Sequence, residues 1–295
     1  MHRYAISFGT DEMLSPAWQE AARHAKLHRI EASFGNGIGA NVTRESVDNL
    51  LRLADEGAIE VASIHIPFAP FDEWRLSDVD EFKRSNGVKN ILSFVESFKR
   101  LGAKNYTLHG SVEPNPDELR PAMMRSLKRS LEELLPTFQE LGASINLENL
   151  PRTCLGRTPD ELEEALDGFP AENLGICFDI NHFCGTPERI PEYICQLAPR
   201  IRSFHISDYD GVDECHWYPG MGIIDWAAAM REINALKQDA LIIFECSSFI
   251  TPPPHTPRSN PIALETLRFR NGANNAFYLE NAEELCRRQT EFQPL

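Results

Sequence analysis

The sequence lacks the marks of several large protein classes. No apolar run approaches the roughly 18 residues needed to cross a bilayer. The opening MHRYAISFGTDEM has no basic, apolar and small-residue succession, so no secretory leader is expected. The seven cysteines form no C-x-x-C pair, and their odd number suits reduced thiols in a cytoplasmic protein. The same spacing argues against structural zinc knuckles. A dinucleotide cradle is missing too: SFGTDEML, after the first apolar run, carries one glycine where G-x-G-x-x-G would be needed. Gly35-Asn36-Gly37-Ile38-Gly39 lacks that spacing and reads as a turn. Positive charge is scarce, with 29 Lys+Arg against 44 Asp+Glu and a net charge of −15, which argues against a passive nucleic-acid binder. Acidity is no obstacle to a metal enzyme, because clustered carboxylates hold cations. Finally, no Gly/Ser linker or low-complexity stretch divides the chain, so residues 1–295 read as one domain.

What is present is an alternation. With 42% hydrophobic residues the chain can bury a sizeable core, which excludes disorder. Short apolar runs at 3–9, 29–35, 60–68, 104–111, 143–150, 173–183, 201–208 and 240–248 read as eight strands covered on both faces. Between them lie segments with apolar residues at helical spacing: 16–26, 43–57, 79–101, 116–142, 158–169, 188–198 and 224–237. A last one spans 260–292. Thr43 and Thr158 are expected helix caps, the latter with Pro159 at the first helical position. Gly57, Gly102 and Gly142 each follow a helix and permit the left-handed residue that ends it. Eight strand-then-helix units predict a single (β/α)8 TIM barrel, in which catalytic groups gather at the C-terminal ends of the strands. An open doubly wound sheet is the rival architecture.

The polar residues that end the apolar runs are therefore informative. The third run reaches His65, the fourth His109, the fifth Glu148 and the sixth Asp179 with His182 behind it. The seventh reaches His205 and the eighth Glu245. A lone histidine flanked by isoleucines, such as His65, is commonly a hydrogen-bonded core residue. Carboxylates inside apolar runs are harder to dismiss, because an unpaired buried carboxylate costs several kcal/mol. Glu148, Asp179, His205 and Glu245 would bring three negative charges to one point, which calls for a divalent cation. Mn, Zn, Mg, Co and Fe(II) all suit such donors. The loop 205–226 adds Asp208, Asp210, Asp213, Glu214 and His216, and Glu214 with His216 would reach His182 if the loop folds back. Gly220 and Gly222 flank Met221 and would let the backbone approach a ligand closely. Arg152 and Asn149, just beyond Glu148, are candidate substrate contacts, with a solvated loop arginine the plainer reading of Arg152.

These residues spell motifs: His65-Ile66-Pro67, His109-Gly110-Ser111, Leu147-Glu148-Asn149, and Phe178-Asp179-x-x-His182. The seventh unit adds a long H-x-x-D-x-D-G…H…P-G-x-G-x-x-D-W. Across essentially its whole length the chain resembles the xylose-isomerase-like TIM-barrel superfamily, in its sugar phosphate isomerase/epimerase branch, with endonuclease IV a more distant relative. The resemblance implies a principal metal on Glu148, Asp179, His205 and Glu245, with Glu148 and Glu245 also moving the substrate proton. It implies places for further metals, up to three in all, at His65, His109, His182, Glu214 and His216. Glu214 stands where the endonuclease relatives carry Asp, and Met221 where the family loop usually has Glu. The expected activity is isomerisation or epimerisation of a sugar-like hydroxy-carbonyl compound through an enediolate. The alternatives are dehydration of a keto-polyol on the same site, an endonuclease IV-type phosphodiesterase, or a non-catalytic carbohydrate-binding barrel. The expected partner is a small sugar-type molecule, with no membrane and no nucleic acid. Residues 252–261 read as a specificity lid or a contact in a homo-oligomer.

Overall fold

The computed structural model describes residues 3–9, 13, 16–24, 29–34, 44–212, 214–217, 219 and 222–246. Eight parallel strands close into a barrel: β1 (Arg3–Gly9), β2 (Arg29–Ser33), β3 (Glu60–His65), β4 (Asn105–His109), β5 (Ser144–Glu148), β6 (Leu174–Asp179), β7 (Ile201–Ile206) and β8 (Leu241–Phe244). They pair in chain order, and β8 returns to β1 with Tyr4 opposite Ile242. Helices α1 (Pro16–His24), α2 (Arg44–Asp55), α3 (Glu81–Phe98), α4 (Arg120–Glu140), α5 (Pro159–Leu166), α6 (Ile190–Leu197) and α7 (Trp226–Ala235) follow the first seven strands. The eight strands and seven of the eight helices match the expected order. The eighth helix, the Thr43 cap and segment 252–261 lie outside the described residues.

Local chemistry accounts for the boundaries. The Thr158 hydroxyl accepts the Glu161 amide at 3.3 Å and Pro159 opens α5. Gly57, Gly102 and Gly142 take φ of 72°, 73° and 57°, a left-handed backbone that glycine adopts at little cost.

The strands are covered on both faces as expected, but the two faces differ. Side chains alternate along a strand. Ile64, Tyr106, Leu108, Ile145, Leu147, Ile176, Phe178, Phe204, Ile242 and Phe244 join the large core packed against the helices. The alternate positions face the lumen and are mostly small or polar. Low in the barrel sit Ala5, Ala62, Leu241 and Ile243, a separate apolar plug. Beside it the Asn146 amide donates to Asn105 Oδ1 and Ser203 Oγ, each at 3.2 Å, and accepts from Ser144 Oγ at 2.9 Å. The next layer holds Glu31, Ser63 and Thr107, and the histidines and acids form the mouth.

Outside the barrel, Arg84 fastens α3 to α4. Its side chain is 3% exposed and reaches Glu81 and Glu133 at 2.6 Å and Ser130 Oγ at 3.0 Å. Glu81 and Glu133 are themselves half-exposed and would regain water if the arginine were removed, so much of the ion-pair energy is recovered on its loss. Arg84→Met is therefore expected to cost about 1–2 kcal/mol, mainly the buried hydrogen bonds. Glu81→Gln and Glu133→Gln should each cost less than Arg84→Met. Urea midpoints of the three variants test this ordering.

Candidate metal centre and active site

Parallel strands that tilt alike deliver their last inward residues to one rim. His65, His109, Glu148 and Asp179 are the terminal residues of β3, β4, β5 and β6. His205 is the penultimate residue of β7, and Glu245 directly follows β8. Glu148, Asp179, His205 and Glu245 each place a donor atom within 4.8 Å of one another. His205 Nδ1 lies 3.1 Å from Glu148 Oε1, 3.1 Å from Glu245 Oε2 and 3.9 Å from Asp179 Oδ2. Two further sets of donors meet equally closely: His65, His109 and Glu148, and His182, Glu214 and His216. His65, His205 and Glu245 form a fourth, overlapping set. His65, His109, Glu148, His182, Glu214, His216 and Glu245 line a cavity of about 220 Å³ that also meets Phe68, Leu150, Pro151 and Arg152.

The rings are oriented from behind. His65 Nδ1 faces the Ile66 carbonyl at 3.0 Å, and His182 Nδ1 faces the Asn149 carbonyl at 2.9 Å. A carbonyl only accepts, so those nitrogens carry a proton, and in the neutral ring each Nε2 lone pair is turned to the cavity. His65 Nε2 then lies 3.3 Å from Glu148 Oε2, and His182 Nε2 3.2 Å from Glu214 Oε2. Two acceptors at that distance repel unless a proton or a cation lies between them. Asp179 gives the same sign: Oδ1 accepts the amides of Asn181 and His182 at 2.6 and 3.2 Å, whereas buried Oδ2 has no hydrogen-bond partner. The donor set fits a divalent cation.

Electrostatics without a cation show the mismatch. Burial, reinforced by Glu148 and Glu245, raises the Asp179 carboxyl to about 7. Burial would raise Glu148 as well, but the imidazoles of His205 and His109 outweigh it and hold that carboxyl well below the usual range. Burial would lower His182, yet Asp179 and Glu214 carry it up to about 10. Carboxylates crowded this closely depend on neighbouring positive charge to stay ionised.

The loop after β7 supplies the second wall. Asp208 and Trp217 exchange backbone hydrogen bonds at 2.7 and 2.8 Å, folding Glu214 and His216 back beside His182. The buried Asp208 carboxylate clasps the loop, accepting from Trp226 Nε1 at 2.8 Å and from the amides of Tyr209 and Ile224. Asp210 accepts the Val212 amide. Asp208 and Asp210 thus organise the loop from within. Gly222 does approach something closely, but it is this clasp and not a ligand: a Cβ there would overlap the Tyr209 carbonyl and the Asp208 carboxylate. Gly222→Ala is expected to destabilise by about 1–3 kcal/mol. An unchanged urea midpoint would show that the loop has room to spare.

Arg152 stands at the lip with φ of 53°, and His216 with φ of 48°, both left-handed conformations that cost a non-glycine residue energy. The Arg152 guanidinium is held at 2.7 Å by Glu113 and at 2.9 Å by Glu214, so part of its role is to steady Glu214. Asn149 is fully buried. Its amide donates to the Asp179 carbonyl at 2.8 Å and accepts the Asp179 amide at 2.7 Å, so it ties β5 to β6 instead of facing the cavity. Asp213, Gly220 and Met221 lie outside the described residues. One acid went unnoticed in the sequence: Glu31, fully buried on β2 and within 3.2 Å of His205 Nε2. Its signal was an acid at the centre of the run RIEAS.

A closed barrel with carboxylates and imidazoles converging at its mouth defines a class, and comparison places the chain within it. Residues 19–269 match the family described as Xylose isomerase-like TIM barrel, and the chain belongs to that family. An uncharacterized protein of Methanocaldococcus jannaschii is 26% identical over 68% of this chain and 69% of its own length. Fructoselysine 3-epimerase of Shigella flexneri is 25% identical over 52% of this chain and 56% of the enzyme, so the chain spans little more than half of it. The fold is shared with a D-tagatose 3-epimerase-like protein, at TM-score 0.72 and 22% identity over 92% of this chain and 98% of that structure. It is shared equally with D-psicose 3-epimerase from Clostridium cellulolyticum H10, at TM-score 0.72 and 15% identity over 98% of each chain. No helix among the described residues is long and apolar enough to cross a membrane.

Proposed function

We propose that the chain is a metal-dependent isomerase or epimerase of a sugar-like compound carrying a carbonyl next to a hydroxyl. The observation that carries this is the approach of Glu148 and Glu245 to His205 Nδ1, each at 3.1 Å, from β5 and from beyond β8. A divalent cation held by Glu148, Asp179, His205 and Glu245 would supply Lewis acidity to adjacent substrate oxygens. The chain's own residues do the rest. One glutamate removes the carbon-bound proton, giving an enediolate, and the other returns a proton from the opposite side. His65 and His109, at 3.3 and 3.0 Å from Glu148 Oε2, orient that carboxylate. Phe68, Leu150 and Pro151 form an apolar wall of the cavity. The activity of fructoselysine 3-epimerase supports the same chemistry here. So does the likeness to inosose isomerase of Bacillus velezensis, 25% identical over 51% of this chain and 55% of the enzyme. Cys154, Cys177 and Cys195 are free thiols, which supports a reducing, cytoplasmic setting.

A second reading rests on the other donor sets. With His65-His109-Glu148 and His182-Glu214-His216 loaded as well, the mouth would suit a phosphodiesterase. Elemental analysis together with activity decides between them. One equivalent of metal and turnover of free ketoses, keto-inositols or sugar phosphates is expected. Three equivalents with phosphodiester cleavage and no action on the sugars would overturn the proposal. Release of water from a keto-inositol without isomerisation would convert it to a dehydratase on the same residues.

A further inference from the structure

Glu31 sits in β2, two residues before the strand ends, so it lies one pleat repeat, roughly 6–7 Å, deeper than the donor atoms at the rim. It is fully buried, and it belongs to none of the donor sets. Ser63 Oγ donates to its Oε2 at 2.7 Å and Thr107 Oγ1 at 3.1 Å. Its Oε1, which no hydrogen bond of good angle satisfies, lies 3.2 Å from His205 Nε2, and Oε2 lies 3.3 Å from the same nitrogen. A carboxylate buried here without a task would cost several kcal/mol, and an apolar side chain would fill the lumen more cheaply.

The neighbouring rings show what the task is. His65 and His182 each have Nδ1 held by a backbone carbonyl. His205 has no such carbonyl on its far nitrogen; Glu31 stands there instead. We infer that Glu31 is a positioning residue that takes the Nε2–H of His205, fixes its tautomer and leaves the Nδ1 lone pair aimed at Glu148, Asp179 and Glu245. This rests on the proposed metal-dependent reading, and it adds a specific lever to it. A carboxylate behind a ligating imidazole makes the ring a stronger donor, and removing such a partner typically weakens metal affinity about 10–100-fold. Ser63 and Thr107 hold the carboxylate in the orientation that faces Nε2.

The test uses the full chain stripped of metal and titrated calorimetrically with Mn²⁺, Co²⁺ and Zn²⁺. Glu31→Gln keeps the shape and is expected to raise Kd by about 10–100-fold while the urea midpoint stays close to wild type. In a His205→Ala background, titrated with Zn²⁺, the same substitution is expected to change Kd by less than about twofold. In the Zn²⁺-loaded wild type, the His205 Nε2–H proton is expected as a downfield NMR resonance protected from exchange, and this needs no variant to fold. Equal affinity in wild type and Glu31→Gln overturns the inference while leaving the functional reading intact. An undiminished effect in the His205→Ala background, or an unprotected Nε2–H in the Zn²⁺-loaded wild type, overturns it likewise. A wild type that binds none of the three ions removes the functional reading and this inference together.

Discussion

Glu148→Gln is expected to lower kcat by about 10²–10⁴-fold, the range associated with a positioned proton-transfer group. The substitution preserves volume and keeps one oxygen, so the barrel should fold. It removes the charge that faces His205 at 3.1 Å, His109 at 3.0 Å and His65 at 3.3 Å. Exchange of the substrate's carbon-bound hydrogen with deuterated water is the discriminating measurement, because it reports proton removal even when no net product forms. Exchange from one epimer should vanish when the glutamate facing its carbon-bound hydrogen is changed to glutamine. Should one variant lose turnover but keep exchange, the surviving glutamate is the base and the altered one the acid of the second half-reaction. Exchange at wild-type rate in both would remove proton transfer from these residues altogether.

Metal removal has the second large expected effect. Dialysis against a chelator is expected to abolish turnover, and Mn²⁺ or Co²⁺ should restore it. Stability should fall as well, since a cation that binds only the folded chain stabilises it by about 4 kcal/mol at a thousandfold excess over Kd. For a chain of this size that corresponds to a drop in Tm on the order of 10 °C. The direction follows from the crowding at the mouth. Without a cation, Asp179 is pushed up to about 7 by burial and by Glu148 and Glu245, so the folded state confines charges that the unfolded chain would let separate. Calorimetric scans of stripped and reloaded protein measure the difference. A Tm that does not depend on the chelator, together with full activity, would show that the donor sets hold no functional ion.

The strand ends were legible because each apolar run stopped at a side chain that does not belong in a core. His65, His109, Glu148 and Asp179 each close a strand at the residue where the hydrophobic run ends. Glu31 was hidden by the same logic. It lies inside its run, between Ile30 and Ala32, where an inward polar position looks like an interruption in a strand read as uniformly apolar. The contacts of Gly222 and Asn149 were hidden for a related reason. Their neighbours in sequence suggested a ligand, whereas their contacts are with Asp208 and Asp179, brought near by the folding of other segments.

By itself the sequence determined the order of strands and helices, the barrel they close, and the set of acids and histidines delivered to its rim. Periodicity, capping and the ends of apolar runs are local properties, written within a few residues. Only the tertiary structure decided which nitrogen of each imidazole faces the cavity, that Arg152 is braced by Glu113 and Glu214, and that Glu31 stands behind His205. The contacts of Arg152 and Glu31 join residues 39, 62 and 174 positions apart. No local pattern encodes them, because they exist once the strands have tilted and closed upon one another.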